Sequence, residues 1–169
     1  MAKEQLRIIA AIVEHKPGVL YAVSNMFRRR NFNIDSISVG PTEQGDLARM
    51  TITVKGDEKI IEQVIKQLNK LIDVIKVSEL DPDSIVTREL ALVKVRTSDT
   101  RTRSDIINYV DIFRGRVVDV SPESLMVEIT GDAEKIDAFL DLMRPFGVRE
   151  VARTGITALS RGVKSVKIE

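Results

Sequence analysis

The chain has 169 residues, no Cys, no Trp, a single His and a formal net charge of +1. That length admits one domain or two small ones, and the missing Cys excludes disulfides, thiolate catalysis and Cys-based zinc sites, while one His excludes a His-pair metal site. With 26 Lys and Arg against 25 Asp and Glu, spread through both halves, no overall field draws in nucleic acid.

Met1-Ala2-Lys3-Glu4 leads straight into an apolar segment without a signal core. The longest apolar run, Ile8 to Val13, is far short of the ~20 residues of a membrane helix. A cytoplasmic protein with no membrane partner is expected. Gln5–Val13 is β-branched and too short for a buried helix, which predicts a central strand. Glu14-His15-Lys16-Pro17-Gly18 is a turn, with Pro17 expected at the first helical position. Val19, Leu20, Val23, Met26 and Phe27 recur at helical spacing and predict a helix to about Arg30, ended by Asn31 in the left-handed conformation. Phe32–Val39 reads as a strand, Gly40–Asp46 as a hairpin loop and Leu47–Lys55 as the returning strand. Asp57 is placed to cap a helix with Ile60, Ile61, Val64, Ile65 and Leu68 on one face and the pair Glu62 and Lys66 on the other. Asp73–Glu79 is the fourth strand. The order is βαββαβ.

Leu80-Asp81-Pro82-Asp83-Ser84 interrupts the pattern, and residues 81–87 read as a linker. The order then repeats: strand Glu89–Arg96, helix Ser104–Phe113 capped by Gly115, strands Val117–Val120 and Leu125–Thr130, a helix capped by Asp132, and strand Val148–Arg153. The fold class is α+β, with two tandem ferredoxin-like units over 1–80 and 88–169, each an antiparallel sheet with helices on one face. The second face of each sheet is still rich in Ile, Val and Leu, so homo-oligomerisation is expected to cover it.

The Pro17-Gly18 turn is the foremost candidate site. Gly18 lets a ligand approach the backbone, and the N–H groups of Gly18, Val19 and Leu20 point out of the helix start, where the dipole favours a carboxylate. Asn33, expected to flank the turn from the neighbouring strand, carries an amide able to bind both a carboxylate and an ammonium. The same residues also fit a plain tight turn and a local backbone hydrogen bond. The second half has Thr97-Ser98-Asp99-Thr100 at the equivalent place, without the glycine, and no equivalent site is expected there. Arg28-Arg29-Arg30 suits a helix C-terminus as well as a phosphate. Arg101 and Arg103 with Asp99 and Asp105 read as a solvated helix approach, and His15 as an exposed turn residue. Asp35 and Asp46 would need a polar cleft to act as a catalytic pair. No catalytic residue and no metal site is assigned.

His15-Lys16-Pro17-Gly18-Val19-Leu20 and Phe27-Arg28-Arg29-Arg30-Asn31-Phe32-Asn33-Ile34-Asp35-Ser36-Ile37 carry more than a fold class. With Arg49–Ile52, Gln67–Val74, Leu92–Val95, Ile112–Arg116, Asp137–Leu140, Glu150–Gly155 and Leu159–Gly162, the chain resembles the acetolactate synthase small (regulatory) subunit family over essentially its whole length. Its N-terminal half looks like an ACT domain, an amino-acid-sensing form of the βαββαβ unit. The resemblance implies a regulatory subunit in branched-chain amino acid biosynthesis without catalysis of its own. It would bind and activate the large subunit and confer feedback inhibition by valine. Valine would sit between the ACT domains of a homodimer. Gly18, Val19 and Leu20 would supply backbone contacts, and Asn33 with Ile34 the facing strand. Thiamine diphosphate, magnesium and FAD would belong to the large subunit alone, and the C-terminal unit and tail would help dock on it. ACT turns often carry Asp or Asn two residues before the Pro, where this chain has His15.

Other readings share the topology. An amino-acid sensor regulating another enzyme would keep the same turn. An RNA-recognition module would need aromatics exposed on the central strands, yet aromatics are 4% of the chain and Phe27, Phe113 and Phe139 fall on helix core faces. A phosphatase-like enzyme would need an Arg in the Lys16-Pro17-Gly18 turn.

Overall fold

Both faces of the first strand are closed to solvent, and this alternation organises the first half of the chain. In the computed structural model, which describes residues 5–163, 165 and 166, β1 (Gln5–Glu14) is buried from Ile8 to Val13. Met1–Glu4, where no leader was expected, and the end of the expected tail lie outside the described residues. Helices α1 (Val19–Arg29) and α2 (Glu58–Leu68) cover one face of a sheet formed with β2 (Ser36–Pro41), β3 (Leu47–Gly56) and β4 (Val74–Leu80), in the order β2-β3-β1-β4. Ile9, Ala11 and Val13 point to the helices and join Val23, Phe27, Ile52, Val64 and Leu68 in the main core. Asp57 caps α2 by accepting from the Ile60 N–H at 2.9 Å, as its position predicts. Asn31 ends α1 at φ 55°. The Phe32 N–H closes on the Phe27 carbonyl, so β2 starts at Ser36 rather than Phe32.

A second unit repeats the order with β5 (Ile85–Arg96), α3 (Thr100–Ile112), β6 (Arg116–Ser121), β7 (Ser124–Gly131), α4 (Ala133–Met143) and β8 (Val148–Arg153), its sheet running β6-β7-β5-β8. Asp132 caps α4 through the Lys135 N–H at 2.8 Å. Two details differ from expectation. α3 begins at Thr100, four residues early, because Asp99 caps it through the Thr102 N–H at 2.8 Å. Its end is turned by Arg114 at φ 53°, not by Gly115. Gly115 serves another purpose, since a Cβ there would crowd the Glu128 carbonyl oxygen at 3.0 Å. Arg103 is not simply solvated either: it donates to the Ser121 and Pro122 carbonyls, both at 2.9 Å, and ties α3 to the β6–β7 turn.

The largest departure concerns the C-terminal tail. The chain divides into one unit running through Val86 together with residues from Ile156 onward, and another spanning Thr87–Gly155. The tail, expected with the second half, belongs to the first. The Ser38 hydroxyl donates to the Ile156 carbonyl at 3.0 Å, and Arg49 to the Ala158 carbonyl at 2.9 Å. Beyond β9 (Thr157–Ser160), the Arg161 N–H donates to the Ser84 carbonyl at 2.7 Å. Ala158 and Ile156 pack with Ile8, Ala10, Leu80 and Ile85 against the face that the helices leave open. Part of the apolar face that suggested a second copy is therefore covered by the chain itself. The physical reason is that Ile8 and Ala10, interleaved with inward-facing Ile9 and Ala11, need a cover, and the tail is tethered close by.

Candidate functional site

The β1–α1 turn is tied to the strands on both sides before the helix starts. The Glu14 N–H donates to the Asp73 carbonyl at 2.9 Å and the His15 N–H to the Asp46 carbonyl at 2.8 Å. Lys16 bridges the Glu14 and Asp73 carboxylates, the latter at 2.7 Å. Hydrogen bonds from Asp73 and then Glu14 hold its ammonium above the ordinary lysine range. His15 is exposed, as expected.

Gly18 occupies the N-cap of α1 at φ 91°, a left-handed conformation that favours glycine. Pro17 therefore precedes the cap and does not take the first helical position. Gly18 has no side chain with which to cap, and the first turn contains no acidic residue. The leading N–H groups of α1 thus receive no side-chain oxygen among the described residues. A Cβ at Gly18 would meet nothing within 4 Å, so the space beside the backbone is open. Val19 is buried in the core and offers only its N–H, whereas Leu20 is 48% exposed and presents an apolar side chain beside the turn.

The second unit solves the same local problem in the opposite way. The Asp99 carboxylate sits at the start of α3, accepting from the Thr102 N–H and from the Ser98 and Thr102 hydroxyls at 2.8, 2.8 and 3.0 Å. The Thr102 N–H, then the Ser98 and Thr102 hydroxyls, hold that carboxyl below its ordinary value. One helix start holds its own carboxylate; the other is open to one from outside.

Asn33 does not flank the turn. It lies in the loop before β2, exposed and without a hydrogen bond among the described residues. Ser36 stands level with Thr53 and, across β3, with Ile8, while the turn follows the other end of β1, where Glu14 faces Leu47. The six steps along the strand from Ile8 to Glu14 span about 20 Å. The reason is elementary: α1 runs back along the sheet, so its two ends lie at opposite ends of β1. Ile34 packs its side chain on the main core. Within one chain, Gly18, Val19 and Leu20 are brought together, and Asn33 and Ile34 are kept away from them.

The remaining candidates resolve simply. Arg28 and Arg29 lie in the last turn of α1, where cations suit the dipole. Asp35 pairs with Lys55 at 2.6 Å, and Asp46 lies beyond the opposite end of β3, so they form no carboxylate pair. None of the five Phe and two Tyr lies in a strand, which removes the stacking platform an RNA-recognition module requires.

Two tandem ferredoxin-like units, the first with an open helix start and the second with a closed one, define a chain of the ACT class. A family model described as "AHAS small subunit-like ACT domain" matches residues 9–76, and one described as "Small subunit of acetolactate synthase" matches residues 88–162. The chain is 59% identical over 159 residues to the probable acetolactate synthase small subunit of Methanothermobacter thermautotrophicus, covering 94% of this chain and 95% of that one. It is 52% identical over 158 residues to the acetolactate synthase small subunit of Mycolicibacterium smegmatis, covering 94% and 92%. The crystal structure of the acetolactate synthase small subunit from Thermotoga maritima superposes with a TM-score of 0.88 at 46% identity, over 94% of this chain and 98% of that one. The chain belongs to the acetolactate synthase small-subunit family.

Proposed function

We propose that this chain is the regulatory subunit of acetolactate synthase, raising the activity of the large catalytic subunit and making it sensitive to inhibition by valine. The observation that carries the reading is the uncapped helix start at Gly18, whose N–H groups and dipole suit the carboxylate of an amino acid. The exposed Leu20 beside it suits an aliphatic side chain. The exposed amide of Asn33 suits the ammonium or carboxylate, but it lies at the far end of its own sheet. A complete site therefore calls for two copies, with Gly18, Val19 and Leu20 of one facing Asn33 and Ile34 of the other. Leu20, Tyr21 and Ile72 are exposed apolar side chains on this unit, and a second copy would cover such surface. Thiamine diphosphate, magnesium and FAD belong, in this proposal, to the catalytic subunit, and no residue of this chain is assigned to them.

Valine inhibits in this scheme by binding one arrangement of the paired units better than another. A coupling of about 1–3 kcal/mol gives roughly 5–150-fold regulation. The test is an assay of the catalytic subunit with and without this chain across a valine titration. Activity is expected to rise when the chain is added and to fall again with valine, while the catalytic subunit alone ignores valine. Equal inhibition of the catalytic subunit alone would contradict the proposal. Valine binding without any effect on that subunit would point instead to a sensor for another enzyme.

A further inference from the structure

Gly40, Arg49 and Ile12 stand side by side on β2, β3 and β1, on the sheet face turned away from the helices. Gly40 has no side chain, and a Cβ there would meet nothing within 4 Å. Next to this gap, the tail and the β2–β3 turn leave a cavity of about 530 Å³ over Ile12 and Arg49. That volume lies in the range of small-molecule sites. Leu47, Leu159, Ile12 and Val166 give it an apolar wall, and Arg49 supplies its cation.

Arg49 is held with its charge largely unanswered. One terminal nitrogen donates to the Ala158 carbonyl at 2.9 Å, and Nε is shut off from solvent with no acceptor. No ion pair among the described residues involves it. Burial disfavours its charged form, and Glu43, a cavity neighbour outside ion-pair distance, offsets this only from afar. A half-buried guanidinium in this condition gains from an anion that enters the cavity, because hydrogen bonds between two ionised groups are the strong ones. Glu43 opposes negative charge in the cavity, and opposes the double charge of phosphate or a dicarboxylate more than that of a monocarboxylate. The apolar wall favours a ligand with a hydrocarbon part.

We propose that this cavity binds a short aliphatic monocarboxylate, its carboxylate on Arg49 and its chain against Leu47 and Leu159. The site lies on the face opposite α1 and does not rest on the valine reading. The full-length chain is titrated with isovalerate, followed by calorimetry and by the methyl resonances of Leu47 and Leu159. Saturable binding is expected, with inorganic phosphate weaker by about tenfold. Arg49→Gln is expected to weaken isovalerate by about tenfold or more, the loss of one or two charge-assisted hydrogen bonds. Because Arg49 also holds the tail, Leu159→Asp is the second variant. Leu159 is 62% exposed, so the fold is not at stake, and the new carboxylate competes for Arg49. It is expected to abolish binding without lowering the thermal melt. Gly18→Asp is expected to leave isovalerate binding intact. The proposal is overturned by no saturable isovalerate binding, by binding that survives both cavity variants, by phosphate binding as tightly, or by loss of binding in Gly18→Asp.

Discussion

Gly18→Asp is expected to abolish inhibition by valine while activation of the catalytic subunit persists. The new carboxylate would sit at the start of α1, as Asp99 sits at the start of α3, and would take the N–H groups proposed for the ligand. Two carboxylates about 4 Å apart repel by roughly 4 kcal/mol at an effective dielectric near 20. Even a substantial discount for exposure leaves a loss of valine affinity of about 100-fold or more. The fold should tolerate the change, because a Cβ at Gly18 contacts nothing within 4 Å. The cost is the left-handed backbone, about 1 kcal/mol, which Asp bears better than most residues. Gly18→Asn separates the two effects, since it shares the backbone strain and carries no charge. It is expected to weaken inhibition much less. A valine inhibition curve unchanged by Gly18→Asp would remove the turn from the site.

Glu89→Ala is expected to destabilise the second unit by about 3 kcal/mol, the cost of breaking a buried ion pair. Glu89 lies on the helix-facing side of β5 with its side chain 5% exposed. It accepts two hydrogen bonds from Arg153, at 2.7 and 2.6 Å, while Arg153 also donates to Asp137 on α4 at 2.6 Å. These hydrogen bonds hold the Arg153 charge firmly, Glu89 contributing first and Asp137 next after the opposing effect of burial. The clamp joins β5, β8 and α4. It matters most to β8, an edge strand whose residues are almost all exposed and which has little core of its own. Removing Glu89 leaves Arg153 partly buried with only the more exposed Asp137. Faster amide exchange along β8 and a lower denaturant midpoint for the second unit check the prediction. Glu89→Gln, which keeps the shape and one acceptor, should lose less. A Glu89→Ala cost below about 1 kcal/mol would mean that the ladder alone secures β8.

Much of the fold was legible because it rests on local rules. Apolar residues at helical spacing placed α1 and α2, and Asp57 and Asp132 announced the helix starts they cap. The start of α3 was missed because Thr100-Arg101-Thr102-Arg103 has no apolar periodicity, although Ser98-Asp99 is a capping signal. The tail was misplaced because its partners, Ser36, Ser38 and Arg49, lie more than a hundred residues away in the chain. Nothing local marks such a contact. The cavity at Arg49 was invisible for the same reason, since it needs β3, the β2–β3 turn and the tail together. At the candidate site the open helix start was readable from Pro17-Gly18. The place of Asn33 was not, because its sequence neighbourhood says nothing about which end of the sheet it reaches.

The proposed valine site needs two copies because, within one chain, Gly18 and Asn33 lie toward opposite ends of β1, whose stretch from Ile8 to Glu14 is about 20 Å long. Mixed dimers of Gly18→Asp and Asn33→Ala chains test this directly. Each substitution alone should leave a homodimer with no intact site. In the mixed dimer one site carries both substitutions and the other carries neither, so valine binding should return at one site per dimer, with partial recovery of inhibition. A mixed dimer as insensitive to valine as its two parents would show that Gly18 and Asn33 do not act across copies.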